Sequence, residues 1–348
     1  MNISYFDSEL TLKYLADRAK IFRNSCWAET TRASLTSSQR TFIAFCRKFH
    51  ITEFSQVTGD LLVTYAVWLV VSVGLTAVGS IKNYLSHVRT LCRMYGHDCH
   101  TPKSYAALDW TLTGIRRELQ TPSQRKDPIT PEILKFLITF PADLTSLSWE
   151  QRVLFLTIRS FYKIAYFTML RASNLLTSSK AKTDPRRQIT WGRTRSVPGG
   201  AIIDIILSKT QQFGDRTHEI ALPEAPGSIY CPVSALRQLF DLRAGQCCSS
   251  DDLIFMIPSG GKWVPLTKHT VLDIMRAQLS RASFDPTRFA FHSLRRGGIQ
   301  TAVQVQPSLE LIRCQTGHAS DAIHCYTQLP GEARLATGSR MLEAMTLI

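Results

Sequence analysis

The chain is poor in acid, in paired cysteines and in long apolar runs. Asp plus Glu number 27 against 41 Lys plus Arg, a formal charge of +14. The nine cysteines are an odd number without regular spacing, which argues against a disulfide scaffold and fits a reducing compartment. Their one local cluster, Cys92, His97, Cys99 and His100, is crowded into nine residues, whereas zinc ligands come as two spaced pairs. Scattered thiols are the expectation, with no metal. The longest apolar stretch, LLVTYAVWLVVSVGL from Leu61 to Leu75, is broken by Thr64 and Ser72. It falls short of the ~20 residues of a membrane span and reads as a buried helix. The first twenty residues lack the basic start, apolar core and cleavage site of a signal peptide. No P-loop, no repeat and no carboxylate cluster suited to two metal ions is visible, so neither ATP nor another cofactor is expected.

What is present is positive charge, apolar residues and length. A pI near 9.5 favours an anionic partner, nucleic acid first and an anionic membrane surface second. A hydrophobic content of 44%, with six Trp and seventeen Phe, excludes a disordered tail protein. At about 150 residues per domain, 348 residues suggest two domains.

Residues 1–28 read as an N-terminal extension and 29–120 as helices. Phe42, Ile43, Phe45, Cys46 and Phe49 recur with helical rhythm, and Thr58 and Asp60 can cap the apolar helix that follows. From about Thr76 to Tyr95, Ile81, Tyr84, Leu85 and Val88 share one face, and Lys82, Arg89 and Arg93 lie on the other. A basic face of this kind suits DNA phosphates, and equally a solvated surface. The segment TPSQRKDPITP, 121–131, has three prolines and reads as a linker. Beyond it, 132–348 reads as a second domain: a short helix from Glu132 to Phe140, a long one from Arg152 to Leu176, and a hairpin from AIIDIIL and His218 to Leu222 with Gly214 in its turn. Helices return at Pro232–Leu242, at Thr267–Ala282 and from His292 onward. The fold class expected is mainly α with a small antiparallel β-sheet.

The second half carries ionisable groups that surface decoration does not explain. Arg171 interrupts the apolar run FYKIAYFTMLRASNLL, and burying an arginine is costly unless an anion meets it. Lys209 ends a strand and enters the hairpin turn. His292 and Arg295, three apart in FHSLRRGG, share a helix face, while Arg296 points about 100° away. His318 follows Gly317 in TGHAS, and Tyr326 follows in IHCYTQ.

In the order Arg, Lys, His-x-x-Arg, Gly-His, Tyr, the sequence resembles the tyrosine recombinases. YLSHVRTL looks like the DNA-facing helix of a helical core-binding (SAM-like) domain, and MLRASNLL, FHSLRRGGIQTA and TGHASDAIHCYT like the catalytic motifs. LRASNLL, CPVSALRQL, FHSLRRGG and SDAIHCY are most similar to eukaryotic mobile-element recombinases of the DIRS, Ngaro and Crypton kinds, which would place the protein in the nucleus. Position 318 is His where those elements often carry Trp; either can donate a hydrogen bond. Residues 178–200 look like a long insertion.

The resemblance implies a site-specific recombinase acting on double-stranded DNA without a metal or cofactor. Tyr326 would attack a phosphodiester, Arg171 and Arg295 would clamp the phosphate, and His318 would donate a further bond. Lys209 would protonate the leaving oxygen and His292 would take the tyrosine proton. A free monomer would become a homotetramer on paired DNA sites. The tail 333–348 would dock on its own domain or, as the resemblance implies, on a neighbouring protomer. A catalytically silent DNA-binding protein and a type IB topoisomerase are the alternatives.

Overall fold

The computed structural model describes residues 11–99, 102–120, 126–181, 183–209, 211–243, 249–305, 309–317 and 331–346. Residues 1–123 and 124–348 form two compact units.

The first unit is helical. It comprises α1 (Leu12–Ser25), α2 (Glu29–Lys48), α3 (Gly59–Val71), α4 (Val78–Met94) and α5 (Ala106–Leu119). Thr58 caps α3 as its sequence suggests, its hydroxyl accepting the Leu61 N–H at 3.2 Å. The apolar run of α3 becomes core: Leu62, Tyr65, Ala66 and Leu69 are buried. They meet Phe42 and Phe45 of α2, Ile81, Leu85 and Val88 of α4, and Leu108 and Leu112 of α5. Phe42 and Tyr65 cross edge to face with centroids 5.0 Å apart, a favoured aromatic geometry. Cys92 and Cys99 are buried in this core, and burial pushes both thiols up. His100 lies outside the described residues.

The second unit begins with α6 (Pro131–Thr139) and the 20-residue α7 (Trp149–Thr168). A capping box between Ser148 and Gln151 starts α7. Met169, with φ +51°, ends it. The single long helix read from Arg152 to Leu176 is therefore corrected: the chain turns at 169–171 and resumes as the four-residue α8 (Ala172–Leu175). Part of the segment 178–200, read as an insertion, is packed into the unit. Gln188, Ile189 and Thr190 are buried, and Thr194–Val197 forms β1. That strand opens an antiparallel sheet of order β1-β2-β3, with β2 spanning Gly200–Ile205 and β3 His218–Pro223. The register pairs Ile203 with Ile220 and Ile205 with His218, and Gly214 takes φ +72° in the loop between them.

Next come α9 (Pro232–Leu242) and the short hairpin β4 (Met256–Ser259) and β5 (Lys262–Pro265), turned by Gly260 and Gly261 at φ +58° and +75°. Then follow α10 (Lys268–Arg281), α11 (Phe291–Gln304), α12 (Leu309–Thr316) and α13 (Gly331–Thr346). Among the described residues, the stretch read as helical from His292 onward comprises three separate helices. Helix α7 is the spine: α6, α9 and α11 pack on it, and Phe161, Tyr162, Ile164, Tyr166 and Phe167 are almost wholly buried. The buried Tyr166 hydroxyl is matched by Thr301 Oγ1 at 2.6 Å. The tail packs on its own unit. Leu335, Met341, Leu342 and Met345 are buried, and α13 lies against β3. Among the described residues no helix is long and apolar enough to cross a membrane.

Candidate active site

The turn that ends α7 builds the site. In the left-handed conformation Met169 aims its carbonyl away from the helix axis, and Arg295 Nη1 donates to it. Arg295 Nη2 donates to the Thr316 carbonyl at 3.0 Å. Met169 follows the last residue of α7 and Thr316 is the last residue of α12, positions where carbonyls lack intrahelical partners. Arg295 is 2% exposed, yet its two anchors are neutral oxygens. Its pKa is pushed down to about 10, first by burial and then by the positive charge of Arg171. Arg171 sits two residues past the turn, at the N-cap of α8, half-buried.

His292 stands one turn before Arg295 on α11 and remains exposed. Its pKa is lowered, first by partial removal from water and then by the guanidiniums of Arg295, Arg296 and Arg171. Arg171, His292 and Arg295 thus lie within electrostatic reach of one another. Arg296 does different work: its Nη1 donates to the Lys126 carbonyl, tying the start of the unit to α11. The two glycines after it allow α11 to come close. A Cβ on Gly297 would lie 1.9 Å from the Ile129 carbonyl oxygen, and one on Gly298 2.2 Å from that of Tyr166.

Lys209 is exposed in the loop after β2. Asn174, 1% exposed, holds the base of that loop: its Nδ2 donates to the Leu207 carbonyl at 2.7 Å and to the Arg187 carbonyl at 2.9 Å. Lys209 is thereby tied through the backbone to α8 and Arg171. His318 and Tyr326 lie outside the described residues; Gly317 is the last position described before them.

Sequence reading missed Asn174, and it missed Lys268 with Arg187. The Lys268 N–H donates to the Thr177 carbonyl at 2.9 Å, so both cations border the segment that follows Arg171. The Lys268 pKa is lowered by burial and then by Arg187, and neither cation is paired with a carboxylate among the described residues. The available signal was Lys268 itself, a cation in the first turn of a helix, where the dipole opposes it.

In the first unit Lys82 is exposed and Arg89 half-buried on α4. Arg93 pairs with Asp98 at 3.5 Å, both largely exposed. An exposed pair is worth about 0–1 kcal/mol, so Asp98 yields readily to a phosphate. Among the described residues no three His, Cys, Asp or Glu converge as metal ligands.

No protein-family model matches the chain. In sequence it is similar to an integrase/recombinase xerD homolog of Selenomonas ruminantium, 27% identical over 241 residues. The match covers 66% of this chain and 62% of that protein's length. In structure it is similar to the Tn1549 transposon integrase in complex with transposon right end DNA, with a TM-score of 0.55, 13% identity, and coverage of 93% of this chain and 97% of that one. It is also similar to the XerH site-specific recombinase bound to palindromic difH substrate, with a TM-score of 0.54, 19% identity and coverage of 87% and 76%. A lambda integrase dimer bound to a COC′ core site gives a TM-score of 0.53, 17% identity and coverage of 93% and 95%.

Proposed function

We propose that this chain, a tyrosine recombinase in fold and a relative of that family in sequence, breaks and rejoins duplex DNA through a covalent link to Tyr326. The observation that carries the reading is the buried Arg295 beside Arg171. Arg295 is anchored on two carbonyls and feels the positive charge of Arg171, and a scissile phosphate would supply an anion that both guanidiniums can bind. Tyr326 Oη attacks phosphorus and its proton passes to His292, whose neutral form is favoured by partial burial and then by its cationic neighbours. The bond from phosphorus to the 5′-oxygen breaks, and that oxygen takes a proton from Lys209. The tyrosine stays on the 3′-phosphate until a 5′-hydroxyl from another strand attacks it and restores the phosphodiester. The link conserves the bond energy, so no ATP enters. A tyrosine hydroxyl, with a pKa of ~10, requires this help to act as a nucleophile.

Lys268 and Arg187 fit a flanking phosphate, and Lys82, Arg89 and Arg93 fit phosphates against the first unit. Two duplexes need four cleavages, hence a tetramer on paired sites assembled from free monomers. The motif likeness to mobile-element recombinases supports action on an element's ends in a eukaryotic nucleus, and leaves integration, excision and inversion equally open. The test is a covalent adduct on a nicked duplex carrying those ends. Tyr326→Phe is expected to bind DNA normally and form none. An adduct that survives the substitution overturns the assignment. Rapid relaxation of supercoiled plasmid lacking the ends would instead favour a type IB topoisomerase.

A further inference from the structure

Residues 315–317 form a corner with three attachments. Gln315 clamps β3: its Oε1 accepts the Ala221 N–H at 3.2 Å, and its Nε2 donates to the Ala221 carbonyl at 2.6 Å and to Phe167 at 3.2 Å. The Thr316 carbonyl accepts from Arg295. Gly317, at φ +63°, lies against the ring of His218: a Cβ on it would sit 2.7 Å from His218 Cε1 and 3.0 Å from Nδ1. Glycine is needed here twice, for the left-handed backbone and for the imidazole pressed on its Cα.

The third attachment differs from the other two in where it leads. Gln315 and Arg295 reach back to Phe167 and Met169 at the end of α7. His218 is the first residue of β3 and pairs with Ile205, the last of β2. It closes the base of the long loop that carries Lys209. A loop of that length leaves its tip wide freedom, so the direction of Lys209 depends on how firmly its two ends are placed. One end is held by Asn174 through the Leu207 carbonyl. The other is held where His218 meets Gly317, the residue before His318.

We propose that His218 is a positioning residue that seats the base of the lysine hairpin on Gly317, so that the direction of the group protonating the leaving oxygen is set by this contact. The inference rests on the recombinase reading and concerns alignment, with no proton transfer assigned to His218 itself. The ring of His218 fills the space a side chain on Gly317 would take, so a flat ring of similar size is expected to keep this contact and a small residue to lose it.

The test compares two suicide substrates with the full chain, one with an ordinary phosphodiester and one with sulfur at the bridging 5′ position, which leaves without a proton. His218→Ala is expected to slow single-turnover cleavage of the phosphodiester by ~10²-fold, the scale of a misplacement of about 1 Å. DNA affinity is expected to stay unchanged, and most of the rate to return on the sulfur substrate. His218→Phe is expected to stay within a few-fold of wild type on both. Should His218→Ala melt below the assay temperature, His218→Ser at lower temperature carries the same comparison. An equal defect on both substrates, or full activity of the small-residue variant, overturns the positioning role while leaving the recombinase reading intact. Absence of any adduct with the wild-type chain overturns both.

Discussion

His292 and the arginines around it decide the chemistry one side chain at a time. Partial desolvation, and then three guanidiniums, hold the His292 pKa below the ordinary 6.5. A group that accepts the tyrosine proton works in its neutral form. Adduct formation at subsaturating DNA should therefore fall as pH drops, through a midpoint below 6.5, and stay level up to neutrality. His292→Gln should erase that limb from the profile, and a wild-type midpoint above 6.5 would contradict the placement. Stability follows the same sign: the unfolded chain binds the proton first, so stability falls as pH drops below about 6.5. For the arginines, single-turnover cleavage should slow ~10²–10³-fold in Arg171→Ala or Arg295→Ala. Arg296→Ala loses the Lys126 contact instead and should show chiefly as a lower melting temperature. The helix-face argument separated Arg295 from Arg296 from spacing alone. Spacing could not show that Arg295 would be anchored by two carbonyls, because those oxygens belong to helix ends elsewhere in the chain.

Helices α7 and α11 pack at a distance only glycine permits. A side chain at 298 would meet the Tyr166 carbonyl, and backbone cannot move aside as a flexible side chain can. Gly298→Ala should cost at least the ~1–3 kcal/mol of an overpacked core. At about 2–4 °C per kcal/mol for a unit of this size, a thermal melt will register it. An unchanged melting temperature would mean that the two helices separate freely. In the sequence nothing near the glycine pair says what it must approach. Its reason is close approach, which becomes visible once the second helix is in place. The tail is similar. Its apolar residues announced that it must dock, and β3 of its own unit is where it does.

At the scale of the whole molecule, the proposed DNA surface draws on the excess of positive charge, and on α4 one of its cations, Arg93, already carries a loose exposed pair with Asp98. Lys82, Arg89 and Arg93 share α4, and each phosphate contact should contribute ~0.9 to the slope of log affinity against log salt. A triple alanine variant, titrated with duplex DNA at several salt concentrations, should flatten that slope by up to ~2.7. An unchanged slope would return α4 to a solvated face.

By itself, the sequence determined the features that depend on neighbours along the chain. These are the caps and apolar faces of α3 and α4, the β2–β3 hairpin with Gly214 in its loop, and the spacing of His292 and Arg295. Periodicity and turn chemistry act over a few residues, so they can be read from a few residues. Tertiary structure decided what depends on contact between distant segments. It set the turn at Met169 that receives Arg295 from 126 positions away, the entry of 194–197 into the sheet, the seat of α13 on β3, and the meeting of His218 with Gly317. Each is settled by which surfaces must leave water together and which buried donors must find an acceptor, and neither is encoded in any one stretch of chain.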